Sequence, residues 1–244
     1  MAEFTNELMK WLGGGHSPWH TVDMAAHWLT ERGFEPLALN KPFSVHRGGR
    51  YFVENGTFLA AVTVGQKDVI RIAAAHTDWP CMRIKPQPEL ISGGCCRLSV
   101  EPYGGAILNT WLDRPLGLAG VVLLRTADPM QPERRLISWD EPVMVIPNVA
   151  IHMNREVNNG LKYNNQVDML PLFSAGECEE GDFRRLIAQE LGCEENDIFG
   201  MDLYLVNRMA PSVWGAKEEF ISSPKLDDLQ CAFTSLKAML AGNN

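Results

Sequence analysis

Residues 70–80 have the sequence Ile-Arg-Ile-Ala-Ala-Ala-His-Thr-Asp-Trp-Pro, in which an apolar run ends in a histidine and an aspartate two positions apart. β-Branched residues at the start of such a run favour a buried strand. Pro80 has no backbone N–H and disfavours regular continuation of the strand past this pair. Because open α/β sheets bind ligands beyond the carboxyl ends of their strands, we predict that this strand end contributes to a functional site.

His76 and Asp78 have the chemistry of a metal ligand and its orienting partner. A neutral imidazole nitrogen binds the metal, and a nearby carboxylate sets the tautomer and the direction of the ring. The same tripeptide also fits a histidine at a strand end followed by an aspartate that forms a turn. The short motif alone leaves both interpretations open.

The composition is that of a globular protein with a substantial core. The chain has 244 residues, of which 45% are hydrophobic, enough for one large domain or two modest ones. A net charge of -8 disfavours a general role in nucleic-acid binding, which usually shows a basic patch. The first residues do not resemble a signal peptide, and no apolar stretch approaches the ~20 residues of a membrane span. We expect a cytoplasmic protein without a membrane segment.

The six cysteines show no C-x-x-C pairing of the kind used for structural zinc or redox chemistry. We expect reduced and mostly buried thiols. Cys81 lies close to the predicted site in sequence, and packing beneath the loop is favoured there over metal ligation.

Two helices are indicated by their end signals. Ser17 and Pro18 have the arrangement of an N-cap and a first helical residue, and Gly33 follows as a stop. Residues 182–191 have a helical pattern that ends at Gly192.

Strand signals follow the first helical region. Residues 43–47 and 50–54 flank Gly48-Gly49 and predict a hairpin, and Asn55-Gly56 is a second tight-turn signal. Residues 57–64 then form a long apolar strand. Consecutive strands after helices indicate an α/β layer.

The middle of the chain has a different character. Between residues 89 and 207 there are Gly-Gly pairs, many prolines and short apolar runs such as 120–124 and 143–146, and residues 201–206 alternate as a strand does. This profile predicts a β-rich domain inserted into the first domain.

The last residues contain an amphipathic helix that begins with two aspartates. Leu229, Phe233 and Leu236 lie on one apolar stripe, which places Asp227 and Asp228 at the helix N-terminus. Aspartate is a favoured N-cap and is stabilised by the helix dipole, so the pair needs no function. A bridging metal carboxylate has the same appearance in sequence, and the two interpretations stay open at this point.

Four segments of the sequence resemble the aspartyl aminopeptidase family of zinc aminopeptidases. The resemblance spans nearly the whole chain, with the segments in the order and separation of the family. They are AAHTDWPCMRIKP (74–86), YGG (103–105) continuing to TWLDRPLGLAG (110–120), IPNVAIHMNR (146–155) and SPKLDDL (223–229).

The resemblance implies an α/β fold class, with a zinc-peptidase-like α/β/α catalytic domain interrupted by an inserted β-rich dimerisation domain. Residues 1–88 and 208–244 are expected to be the first and second parts of the catalytic domain, which is incomplete. Residues 89–207 are expected to be the inserted domain. The family forms dimers that build larger homo-oligomers, typically dodecamers.

The resemblance also implies a pair of metal ions, usually zinc, and removal of N-terminal, preferentially acidic, residues from peptide substrates. His76 would ligate one metal, Asp78 would orient His76, and Asp227 would bridge both metals. His152, from the inserted domain, would reach the active site of a partner subunit and stabilise the oxyanion.

The sequence departs from the family pattern in several ways. The family continues after the last helix with a Glu-Glu pair, an aspartate and a histidine, so we expect an N-terminal part of an aminopeptidase with little activity by itself. Trp79 stands where the family often has a small residue, and Asp228 where asparagine is common, which is expected to alter the pocket and the metal preference. The alternative is a non-catalytic assembly or scaffold subunit that keeps the dimerisation domain and binds a full-length homologue. A metal-free hydrolase is disfavoured because no G-x-S-x-G motif is present.

Overall fold

The computed structural model describes residues 2–67 and 70–242. These residues form two compact units: the first contains those up to Trp79 together with those from Ala210 onward, and the second is Pro80–Met209. Helices and sheets are both present, so the predicted mixed α/β class is confirmed. Among the described residues, no helix combines the length and the apolar character that a membrane span requires.

The described part of the chain holds four α-helices and three sheets. The helices are α1 (Ala2–Gly14), α2 (Pro18–Glu31), α3 (Asp182–Leu191) and α4 (Leu226–Ala241). The strands are β1 (Glu35–Pro36), β2 (Arg50–Asn55), β3 (Phe58–Thr63), β4 (Cys81–Ser92), β5 (Cys95–Tyr103), β6 (Leu116–Leu124), β7 (Glu133–Met144), β8 (Leu172–Ala175), β9 (Ile198–Asn207), β10 (Ser212–Trp214) and β11 (Phe220–Ser222). The first unit contains the sheets β1-β2-β3 and β10-β11, and the second contains β7-β6-β9-β4-β5-β8.

The boundary between the first unit and the second lies after Trp79. Residues 80–88, which the sequence placed in the first part of the catalytic domain, belong to the second unit, because β4 pairs with β5 from Cys81 onward. At its other end the second unit stops at Met209, two residues beyond the predicted position. The catalytic and dimerisation roles of the two parts remain predictions.

Helix α2 begins and ends at its sequence signals. Ser17 is the N-cap in extended backbone, and its hydroxyl oxygen accepts a hydrogen bond from the backbone N–H of His20 at 3.4 Å. Pro18 occupies the first turn, where its missing N–H costs no intrahelical bond. Gly33 follows the C-cap Arg32 with a φ of 78°, a left-handed conformation that suits glycine. The predicted helix is therefore confirmed.

One of the two predicted hairpins is present. Strands β2 and β3 pair antiparallel up to Asn55↔Phe58, so the Asn55-Gly56 turn is confirmed. Residues 43–47 form no strand, and that prediction was wrong. The Gly48 N–H donates to the Val64 carbonyl and the Val64 N–H donates to the Gly49 carbonyl, so the glycines extend the β2–β3 pairing instead.

Residues 70–76 are irregular and exposed, so the prediction of a buried strand was wrong. Ile70 and Ile72 are 86% and 85% exposed. A strand needs a neighbour for its backbone N–H and C=O groups, and no strand in the described residues pairs with this segment. An apolar sequence pattern indicates only that the side chains favour burial, whereas a strand also needs a neighbouring strand to pair with.

The second unit is built around strand β6. Nearly every residue of Leu116–Leu124 is buried, and the strand pairs antiparallel with β7 on one side and β9 on the other. Helix α3 contributes Phe183, whose ring contacts Trp139 of β7 and Phe173 of β8. Gly192 ends α3 with a φ of 62°. The predicted helix at 182–191 and strand at 201–206 are confirmed.

Gly120 of β6 lies directly against the backbone of β9, and we predict that Gly120→Ala destabilises the chain. A Cβ at this position would lie 2.0 Å from the backbone oxygen of Asp202, which cannot move without breaking the pairing. We expect the free energy of unfolding to fall by about 2–3 kcal/mol or more in urea titrations. Gly200→Ala, in β9, is the matched control because its Cβ would meet nothing within 4 Å. Equal stability of the two variants would contradict the prediction.

His20 makes the stability of the chain depend on pH. Burial, with the positive charges of His16 and Lys225, lowers the pKa of His20 to about 4. In the unfolded chain the pKa of histidine is near 6.5, so on acidification the unfolded state binds this proton at a higher pH than the folded state does. The stability that the neutral, buried His20 contributes is therefore fully present above about pH 6.5 and is lost as the pH falls toward 4. We expect His20→Gln to reduce the stability difference between about pH 7 and pH 5 by on the order of 1–2 kcal/mol in urea unfolding. An equal stability difference in His20→Gln and in the unaltered chain would contradict the prediction.

Candidate metal centre

Two segments that are far apart in the sequence meet in the first unit. His76 lies in the irregular segment before Trp79, and Asp227 and Asp228 lie at the start of α4. The backbone N–H of His76 donates to Oδ2 of Asp228 at 3.1 Å, across 152 positions of sequence. Thr77 Oγ1 donates to the backbone carbonyl of Thr57 at 3.0 Å. These bonds hold the segment against α4 and against the turn before β3.

The imidazole of His76 has carboxylates at both of its nitrogens. Nδ1 lies 2.9 Å from Oδ1 of Asp78 and 3.0 Å from the backbone oxygen of Asp78. Because both neighbours are acceptors, the proton of a neutral ring belongs on Nδ1. Nε2 lies 3.6 Å from Oδ1 of Asp227 and 3.6 Å from Oδ2 of Asp228. Nε2 therefore keeps its lone pair, and two carboxylate oxygens that could also bind a metal lie beside it.

The two aspartates differ in how firmly they are held. Both have non-helical backbone angles, and the peptide bond between them is cis. The Asp228 carboxylate accepts hydrogen bonds from Cys231, including its backbone N–H, so Asp228 caps the regular part of α4. Its side chain is 15% exposed, whereas that of Asp227 is 89% exposed. Asp228 therefore caps the helix and also lies beside His76, so the two interpretations that the sequence left open do not exclude each other.

Hydrogen bonds shift the pKa values of His76 and Asp228. Burial lowers the pKa of His76, but its bonds to Asp78 and the nearby charge of Asp228 outweigh burial and raise the pKa above its ordinary value. Burial raises the pKa of Asp228, but hydrogen bonds from Cys231 and from the backbone of His76 outweigh it, so the pKa lies below its ordinary value. At neutral pH the Asp228 carboxylate is therefore ionised, and a cation is favoured beside it.

The donor atoms fit a zinc ion. Zinc binds imidazole nitrogen and carboxylate oxygen at about 2.0–2.2 Å, which separates neighbouring donors by roughly 3–4 Å. The donor atoms of His76, Asp227 and Asp228 all lie within 4.8 Å of one another. Asp78 occupies the other ring nitrogen, as the carboxylate partners of ligating histidines do. Nitrogen and oxygen donors in this arrangement suit a divalent transition metal.

The structure brings together three of the four predicted site residues: His76, Asp78 and Asp227. Asp228, which the sequence marked only as an extra carboxylate, joins them, and the Asp-Asp pair at a helix start was the signal for it. His152 lies in the second unit, where residues 151–153 form an exposed turn. The roles of all these residues remain predictions.

The chain is similar to known proteins over nearly its whole length. The sequence profile of the aminopeptidase I zinc metalloprotease family (M18) matches residues 11–244. The chain belongs to this family. A probable M18 family aminopeptidase 2 of Clostridium acetobutylicum is 39% identical over 247 residues, which cover 98% of this chain and 57% of that relative. One of Clostridium novyi is 37% identical over 250 residues, which cover 99% of this chain and 58% of that relative.

Solved structures share the fold. A chain in a cryo-EM structure of an Ape4 and Nbr1 complex matches with a TM-score of 0.89 at 26% identity, covering 100% of this chain and 51% of that chain. An M18 aminopeptidase from Thermotoga maritima matches with a TM-score of 0.82 at 23% identity, covering 99% of this chain and 55% of that chain. The resemblance to zinc aminopeptidases is therefore confirmed, and this chain spans little more than half the length of the proteins it matches.

We predict that zinc binding by the chain depends on His76 and, more weakly, on Asp78. His76→Gln removes the nitrogen donor and is expected to lower zinc affinity by about 100-fold or more, whereas Asp78→Asn frees the ring and is expected to cost about 10–100-fold. Competition for zinc between each variant and a chelating dye measures both losses of affinity. Asp23→Asn, an exposed aspartate on α2, is the control and should bind as the unaltered chain does. Equal affinity of His76→Gln and the control would exclude this site.

Proposed function

We propose that this chain contributes His76, Asp227 and Asp228 to the zinc site of an aminopeptidase that removes N-terminal residues from peptides. The observation that carries the proposal is the environment of His76, with Nδ1 held by Asp78 and Nε2 facing two carboxylates. Membership of the M18 family supports peptide hydrolysis as the reaction.

Each of these side chains has its own task. Asp78 keeps the proton on Nδ1 and fixes the ring, so that Nε2 remains a donor. Asp228 is held by hydrogen bonds and presents one oxygen in a defined place, whereas the exposed Asp227 has oxygens free to bridge two ions. When bound, zinc polarises the scissile carbonyl and lowers the pKa of a bound water toward about 7. A two-metal mechanism, with Asp227 as the bridge, is part of the proposal.

The second unit is proposed to form the dimer interface of a homo-oligomer. The family resemblance suggests this role, and His152 lies in an exposed turn from which a neighbouring subunit can be reached. A solved mApe1 structure of S. cerevisiae is a dodecamer, and its chain matches this one with a TM-score of 0.78 at 22% identity. In such an assembly His152 would stabilise the oxyanion in the partner subunit.

The cellular setting and substrate preference complete the proposal. All six cysteines are free thiols, which suits a reducing compartment such as the cytoplasm. The preference for acidic N-terminal residues rests on the resemblance to aspartyl aminopeptidases.

Hydrolysis of aminoacyl p-nitroanilides tests the function. The chain is assayed with zinc or manganese, by itself and mixed with a polypeptide that carries the rest of the Clostridium acetobutylicum relative. We expect release of p-nitroaniline in the mixture, faster from aspartyl and glutamyl than from leucyl substrates, and loss of at least about 100-fold in rate with His76→Gln.

The controls separate the parts of this proposal. Asp23→Asn should leave the rate of the mixture unchanged. Strong hydrolysis by the chain alone would contradict the expectation that it supplies only part of the site. A complex that forms and binds zinc without hydrolysing any substrate would favour the scaffold alternative.

A further inference from the structure

Lys225 has an unusual environment for a lysine. Its side chain is 5% exposed, and it is the one charged residue that is buried in the described ranges 2–67 and 70–242. Removing an ammonium group from water is costly unless protein groups replace the water. The protein groups around Lys225 are therefore expected to stabilise its buried charge.

The groups that face the ammonium of Lys225 include a backbone carbonyl and an aromatic ring from separate parts of the first unit. Nζ donates to the backbone carbonyl of Gly15 at 2.8 Å, in the turn between α1 and α2. Nζ also lies 5.5 Å from the centre of the Trp79 ring, a distance at which a cation and an aromatic face attract each other. Trp79 follows Asp78, and Lys225 precedes the Asp227-Asp228 pair by two residues. The ammonium thus connects both segments that carry the candidate metal ligands.

Gly15 is a rigid support for this contact. A Cβ at Gly15 would lie 2.8 Å from Cδ1 of Leu229 and 3.0 Å from Oγ1 of Thr21, so any side chain there would require these neighbours to move. The Gly15 N–H donates to the carbonyl of Trp11, and the indole N–H of Trp11 donates to the carbonyl of Leu229. The carbonyl that receives Lys225 is therefore fixed relative to the first turn of α4.

We infer that Lys225 is a positioning residue for the zinc site: it holds the Asp227-Asp228 turn and the His76–Trp79 segment at the spacing that the metal requires. The inference rests on the proposed zinc function. The contacts of the ammonium include one carbonyl at hydrogen-bond distance and one aromatic face. An apolar side chain of similar length would fill the same volume but would leave the two segments free to shift.

Zinc affinity and hydrogen exchange test the role of Lys225. We expect Lys225→Met to lower zinc affinity by about tenfold or more, and Lys225→Arg, which keeps the charge, to restore most of it. In the zinc-free chain, Lys225→Met should speed amide exchange of a peptide covering residues 70–79, because the His76 N–H bond to Asp228 loosens. Unchanged affinity and exchange in Lys225→Met would overturn the inference.

Lys237→Met is the matched control for a lysine lost from the same helix. The ammonium of Lys237 donates to both carboxylate oxygens of Glu7, at 2.9 Å and 2.8 Å. Neither residue is next to a candidate metal ligand in the sequence, so zinc affinity should not change. If Lys237→Met weakened zinc binding as much as Lys225→Met does, the effect would be general destabilisation, and the positioning role would be wrong. The urea midpoints of both variants establish that each is folded.

A double-mutant cycle with Trp79→Leu tests the connection between the two segments. If Lys225 acts through the Trp79 ring, the loss of zinc affinity in the double variant should be smaller than the product of the two single losses. Losses that multiply would contradict this part of the inference. Failure to bind zinc in the mixture with the complementing polypeptide would instead reject the proposed function, and the exchange of residues 70–79 in the zinc-free chain would still decide the positioning role.

Discussion

In the first unit, the carboxylate of Asp228 accepts hydrogen bonds from two directions and so joins two distant segments. One comes from the first turn of α4, through Cys231, and the other from the backbone of His76. A carboxylate that receives backbone N–H groups is both fixed in direction and kept ionised. The same carboxylate therefore caps a helix, holds an irregular segment that has no strand partner in the described chain, and supplies a negative charge.

That charge is part of a local excess of negative charge around His76. Three carboxylates, those of Asp78, Asp227 and Asp228, surround one imidazole. Like charges at these distances repel, and a protonated His76 offsets only part of the repulsion. A divalent ion at Nε2 would offset more of it, while Asp78 remained on the opposite nitrogen. The buried ammonium of Lys225, two residues before Asp227, contacts the Gly15 carbonyl and the ring of Trp79, the residue after Asp78.

Local signals predicted much of the fold, and the failures have a common cause. Ser17-Pro18 and Gly192 mark helix ends because caps and stops act within a few residues. Asn55-Gly56 predicted a turn for the same reason. Residues 70–76 have the composition of a strand, but pairing requires a second segment, which composition does not provide. Residues 43–47 failed similarly, because Gly48 and Gly49 bond to Val64 instead.

The sequence by itself determined the helix ends, the β2–β3 turn, membership of a zinc aminopeptidase family and the choice of His76, Asp78 and Asp227. These follow from short spacings and from motifs that are visible along the chain. Only the tertiary structure decided that Asp228 meets His76 and that Lys225 meets Gly15. The partners in those contacts are 152 and 210 positions apart, so their distance depends on how whole elements pack and not on local preference.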